Sequence, residues 1–179
     1  MIRLVNLLTV SRVCLGPIIF IILFLNINDL LALFLFFFAG FTDYADGYLA
    51  RKYDATSQIG EILDPIADKI LIIFLLFALS IQLDSYILGF AASIIISREI
   101  WVTALRDYNA RNNNLDATTV TFLAKVKTTI QLLTISVYLL AIVINNMLLI
   151  IFGDIFIVIA SLITLYTGYE YTVNSLKKS

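Results

Sequence analysis

Histidine is absent from this chain of 179 residues, and cysteine occurs once, at Cys14. Without histidine there is no imidazole base and little from which to build a zinc or redox-metal centre. A lone cysteine excludes an internal disulfide, and on an apolar stretch Cys14 reads as packing. Proline is scarce as well, at Pro17 and Pro65 only. No Gly/Ser-rich linker, low-complexity tail or internal repeat interrupts the sequence, so a single domain over 1–179 is expected. Charge is thin too: 14% of residues are charged and 61% are hydrophobic, with a mean hydropathy of +0.98. A soluble or disordered chain is excluded by that balance. A net charge of −1 points to no partner, and no nucleic acid is expected.

What is present is a series of long apolar stretches. Six fall at roughly 8–26, 30–50, 59–81, 86–107, 120–144 and 147–171, each about the 20 residues that a membrane-crossing helix needs. They predict an all-α polytopic bundle of six transmembrane helices. The opening residues, Met1 to Arg12, read as a short amphipathic segment leading into the first span. They do not resemble a cleaved signal peptide, because the apolar stretch runs on past Arg12 without a small-residue cleavage site.

The basic residues orient this bundle. Arg3 and Arg12 lie near the start; Arg51, Lys52 and Lys69 around the second junction; Arg98, Arg106, Arg111, Lys125 and Lys127 around the fourth; Lys177 and Lys178 at the end. The other three junctions carry none. The positive-inside rule then places both termini and the basic junctions on the cytoplasmic side of the cytoplasmic (inner) membrane, which needs an even number of spans.

Against this apolar background, four aspartates fall within 26 positions: Asp43, Asp46, Asp64 and Asp68. Ionisable groups at membrane depth are costly and mark functional sites. Residues three and four apart share a helix face. Asp43, Asp46, Gly47, Ala50 and Arg51 therefore form one stripe, and Gly60, Asp64 and Asp68 a second. Two helices crossing with these stripes facing would bring four carboxylates to one pocket, an all-oxygen set suited to Mg2+ or Mn2+. Gly47, Ala50 and Gly60 clear space for a flat base or a phosphate, and Arg51 suits bidentate phosphate contact. A DxxD pair alone is most often a solvated helix face. Eight fixed residues coinciding by chance is an event on the order of one in a billion per starting position. Pro65, between Asp64 and Asp68, predicts a kink that either aims both carboxylates or merely shapes packing.

This pattern, D-x2-D-G-x2-A-R-x8-G-x3-D-x3-D, matches at every position the signature of the CDP-alcohol phosphotransferase family, and the resemblance covers essentially the whole chain. It implies a six-helix membrane enzyme that displaces CMP from a CDP-linked substrate, two divalent metal ions held by Asp43, Asp46, Asp64 and Asp68, and a homodimer. By similarity, Gly47, Ala50, Arg51, Ser57, Gly60 and the Asn6–Thr9 segment contact the CDP headgroup of CDP-diacylglycerol. Asp68 is the expected general base, since no histidine is available.

A second cluster concerns the acceptor. Arg98 and Arg106 lie near the end of the fourth stretch, and Lys125 and Lys127 near the start of the fifth. Four cations at membrane depth fit an acceptor that carries a phosphate. Equally, Glu99 and Asp107 could pair with some while the rest reach lipid headgroups. The phrases S-R-E-I-W-V-T-A-L-R and K-V-K-T-T-I-Q, with Asn6-Leu-Leu-Thr9-x-x-Arg12, resemble family members that take sn-glycerol 3-phosphate. Inositol phosphate, serine or phosphatidylglycerol remain as other acceptors. A cation- or proton-coupled transporter remains as another class, though it predicts carboxylates spread through the membrane depth.

Overall fold

The computed structural model describes residues 2–53, 58–112 and 122–177. Among them are six helices: α1 (Ile2–Phe24), α2 (Asp29–Tyr53), α3 (Gln58–Gln82), α4 (Tyr86–Arg111), α5 (Phe122–Ile144) and α6 (Met147–Lys177). They stand where the six apolar stretches predict. The opening segment is helical from Ile2 and continuous with the first span. Helices α4 and α6 run several residues past their apolar stretches, because a helix continues as long as its backbone bonds are made, whatever the polarity of its last turns. α3 is helical throughout, with Pro65 inside it.

α1, α2, α4, α5 and α6 are each long and apolar enough to cross a membrane. The chain is a multi-pass membrane protein. Its outward face carries Phe34, Phe41, Phe90, Ile100 and Leu162, all exposed, as lipid contact requires. The helices close into a ring in the order α2, α1, α3, α4, α6, α5, with α3 also packed across the ring on α5. The shared core is built from Ile19, Leu23, Leu75, Leu76, Leu79, Ile95, Ile135 and Leu139.

The three junctions without basic residues are tight turns at one end of the bundle, and all three use one device. Asn26, Asp84 and Asn145 take the left-handed conformation, with φ of 51°, 47° and 51°. Each closes its helix with a pair of backbone bonds, such as Asn26 N–H to the Leu23 carbonyl and Ile27 N–H to the Ile22 carbonyl, both 3.0 Å. Asn and Asp tolerate this conformation better than other side chains, which is why a chain short of glycine uses them. The next helix is then capped by a side chain: Asn28, Ser85 and Asn146 accept from the backbone N–H of Leu31, Leu88 and Leu148 at 2.9, 3.3 and 2.9 Å.

Near the same end, α6 approaches α5 closely at Gly153. A Cβ there would lie 2.6 Å from the Tyr138 ring, which is fully buried and held by a 2.6 Å hydrogen bond from its hydroxyl to Asp154. The ring has nowhere to go. Gly153→Ala should therefore destabilise the bundle by about 1–3 kcal/mol, seen as a lower thermal midpoint in detergent; an unchanged midpoint would mean that the α5–α6 contact yields freely.

Candidate active site

The four aspartates do meet, but not by α2 facing α3. Among the described residues these two helices do not pack on one another; α1 lies between them and touches both. Two carboxylate stripes brought face to face would repel, and α1 carries a cation between them. Arg12 Nη1 donates to Asp43 Oδ1 at 2.5 Å and to Asp68 Oδ1 at 2.7 Å, and Nη2 donates to Asp46 Oδ2. Three residues earlier, the Thr9 hydroxyl lies 2.9 Å from Asp64 Oδ1 and 3.4 Å from Asp46 Oδ2. Thr9 and Arg12 share a face of α1, as their spacing of three dictates. A single turn of α1 thus gathers carboxylates from two other helices.

Burial is uneven across the cluster. The Arg12 and Asp46 side chains are 1% and 4% exposed, while Asp43 and Asp68 are about half exposed, at 54% and 48%. The donors suit a hard divalent cation, being four carboxylates with no nitrogen or sulfur among them. Among the described residues no three acidic groups are arranged to ligate an ion, and the Arg12 guanidinium lies against three of the four carboxylates.

Asp68 also lines a cavity of about 430 Å³ between α3, α4 and α5. Its walls bring together Lys69, Arg98, Arg106 and Lys127 with Glu99, Thr103, Thr128 and Gln131. Glu99 organises the cations. Its Oε1 accepts from Arg98 at 3.1 Å and from Lys127, and its Oε2 lies 3.8 Å from Lys69 Nζ. Lys69 also donates to the Thr103 hydroxyl at 2.8 Å. Arg98 is braced from behind by Thr167 on α6 at 2.9 Å, and Arg106 reaches the Tyr171 hydroxyl at 3.2 Å. Among the described residues Asp107 pairs with Arg111 alone, at 2.8 Å and outside the cavity. The expected rival pairing is thus half present: Glu99 does engage the cations, but inside a cavity and not at a lipid-facing surface.

Of the residues that the sequence singles out, Thr9, Asp43, Asp46, Asp64 and Asp68 form the first cluster, and Arg98, Arg106 and Lys127 the second. Gly47 lies on α2 one residue past Asp46, and Gly60 is buried at the start of α3. Ser57 lies outside the described residues; so do the side chains of Asn6, Ala50, Arg51 and Lys125, although their helices are described. The sequence reading assigned no site role to Arg12, Lys69, Glu99 or Thr103. There Arg12 orients the bundle and closes the Asn6-Leu-Leu-Thr9-x-x-Arg12 phrase, and Lys69 orients the bundle alone. The signal for Arg12 was its spacing from Thr9; the signal for Lys69 was its place beside Asp68.

Residues 2–170 match the model of the CDP-alcohol phosphatidyltransferase family. Similar proteins are each named CDP-diacylglycerol–glycerol-3-phosphate 3-phosphatidyltransferase. The one from Blochmanniella floridana is 39% identical over 151 residues, covering 83% of this chain and 78% of the relative. That from Rickettsia bellii is 34% identical over 169 residues, covering 93% and 91%. That from Escherichia coli K12 is 32% identical over 133 residues, covering 73% of each. With the family model spanning nearly its whole length and its aspartates gathered beside a basic cavity, the chain belongs to the CDP-alcohol phosphatidyltransferase family.

Proposed function

We propose that this chain transfers the phosphatidyl group of CDP-diacylglycerol to sn-glycerol 3-phosphate, giving phosphatidylglycerol phosphate and CMP. The observation that carries the reading is the position of Asp68. It belongs at once to the carboxylate cluster and to the wall of the basic cavity. A donor bound at the first and an acceptor held in the second would meet at that side chain. The names of the similar proteins point to the same pair of substrates.

Each group then has a task. Asp68 takes the proton of the acceptor hydroxyl. That oxygen attacks the phosphorus bearing diacylglycerol, a new P–O bond forms, and the bond to CMP breaks with its electrons leaving on CMP. The family is generally dependent on divalent metal, and Asp43, Asp46, Asp64 and Asp68 would hold two such ions, Mg2+ or Mn2+. When bound, they neutralise the pyrophosphate and stabilise the leaving group. Asn6, Thr9, Gly47, Ala50, Arg51, Ser57 and Gly60 would contact the CDP headgroup. Arg98, Arg106, Lys125 and Lys127 would hold the acceptor phosphate, and Lys69 joins them as a fourth cation on the described wall of the cavity. Serine offers this wall a single carboxylate in place of a phosphate, so four cations favour it less than glycerol 3-phosphate. On this reading the whole chain acts as one catalytic domain in the cytoplasmic membrane, with termini and site facing the cytoplasm, and pairs as a homodimer.

Purified protein in detergent, given CDP-diacylglycerol and Mg2+ or Mn2+, should release CMP with glycerol 3-phosphate and not with inositol phosphate or serine. Release with another acceptor would keep the family chemistry and overturn the assignment of the basic cavity. No release with any acceptor, from folded protein, would overturn the reaction.

A further inference from the structure

Arg12 sits at the centre of the place where the carboxylates would hold metal. Its guanidinium touches Asp43, Asp46 and Asp68, and Thr9 on the same turn ties down Asp64. Among the described side chains one positive charge, that of Arg12, touches the carboxylates of this cluster, which leaves three in excess when all four are ionised. Lys69, the nearest cation by sequence, is engaged with Thr103 and Glu99 instead. So Arg12 gathers the cluster without neutralising it.

A second observation concerns the guanidinium itself. Its side chain is 1% exposed, yet Nε is buried with no hydrogen-bond partner. Buried polar groups are nearly always satisfied, and among the described residues the other arginine that falls short in this way is Arg98, in the basic cavity. Arg12 is satisfied only at the two nitrogens that reach the carboxylates. Asp43 and Asp68 are meanwhile half exposed, so an incoming cation has a route to the oxygens that Arg12 holds.

We propose that Arg12 is the counter-ion of the metal-free site and that its guanidinium competes with divalent ions for the same carboxylate oxygens. Metal entry then requires Arg12 to give up its three ion pairs. The residue keeps the carboxylates gathered when metal is scarce, and it sets the metal concentration at which the site fills. This rests on the reading that the four aspartates hold divalent ions.

The test is Mn2+ binding to the full-length chain in detergent after treatment with a chelator, with free Mn2+ read by electron paramagnetic resonance. Thermal midpoints are measured with and without Mn2+. Arg12→Met should bind Mn2+ at least about tenfold tighter than the unaltered chain, by removing a buried competitor. Its chelated form should melt lower, and Mn2+ should close that gap. Arg12→Lys, which keeps one charge but loses the fork, should fall between the two. If Arg12→Met does not survive chelation, Arg12→Lys against the unaltered chain decides the matter in the same direction. Mn2+ binding by the unaltered chain that is no tighter in either variant overturns the exchange alone. Mn2+ binding by none of the three proteins overturns the exchange together with the metal reading.

Discussion

Asp68→Asn lowers CMP release by about 10²- to 10⁴-fold, the usual contribution of a positioned general base, while CDP-diacylglycerol still binds. Asparagine keeps the shape of the side chain and a carbonyl oxygen for Arg12, so the bundle should hold together. What it loses is the ability to take a proton. Among the four aspartates Asp68 is the one that lines the basic cavity, where an acceptor hydroxyl would lie. Asp43, by contrast, is the exposed outer member of the Arg12 cluster, and Asp46 is buried in it. Two measurements are needed together: steady-state CMP release, and binding of CDP-diacylglycerol to the variant. Near-normal turnover removes Asp68 as the base. Loss of lipid binding along with turnover makes it chiefly a part of the donor site.

Lys127→Met should raise the KM for glycerol 3-phosphate by about 10- to 100-fold, the worth of one hydrogen bond to a charged group, and leave the KM for CDP-diacylglycerol nearly unchanged. Methionine retains much of the stem, which is buried, and removes only the ammonium. Lys127 is the cleanest probe in the cavity. Arg98 also braces α6 through Thr167, so its loss would disturb packing as well as charge. The only ion-pair partner of Lys127 among the described residues is Glu99, which keeps Arg98 and Lys69 nearby when the ammonium is gone. A larger change in the lipid KM than in the acceptor KM would move the acceptor phosphate out of this cavity.

How much of this was legible in the sequence differs by feature. The helices were legible because twenty apolar residues leave few alternatives in a membrane, and the turns at Asn26, Asp84 and Asn145 interrupt them sharply. The aspartates were legible because their spacing is helical and their surroundings are not polar. The neighbour relations were not. Spacing along α2 and α3 gives each stripe its face but not the partner that the face meets, so the intrusion of α1 between them went unforeseen. The spacing of Arg12 from Thr9 marks a shared face of α1 but not the carboxylates that this face meets. Glu99 was read as a rival to the phosphate-binding role. A single buried carboxylate can pair its neighbouring cations and still leave them gathered around a cavity, and only geometry separates that arrangement from simple neutralisation.

The three tight turns at the far end of the bundle tie the helices into hairpins, α1 with α2, α3 with α4 and α5 with α6. The first hairpin contains Arg12 together with Asp43 and Asp46, so part of the ion-pair network closes within it. A charged residue in an inserting helix carries a penalty, roughly 2.5–3.5 kcal/mol at the centre of the span on biological insertion scales and less toward the ends, where Arg12, Asp43 and Asp46 lie. A hairpin that brings its own arginine against its own aspartates would enter the bilayer with much of that penalty cancelled, before the rest of the chain has been made. Biogenesis, as well as chemistry, then favours a cation on the first helix: the earliest segment to reach the membrane supplies what allows the next one to follow.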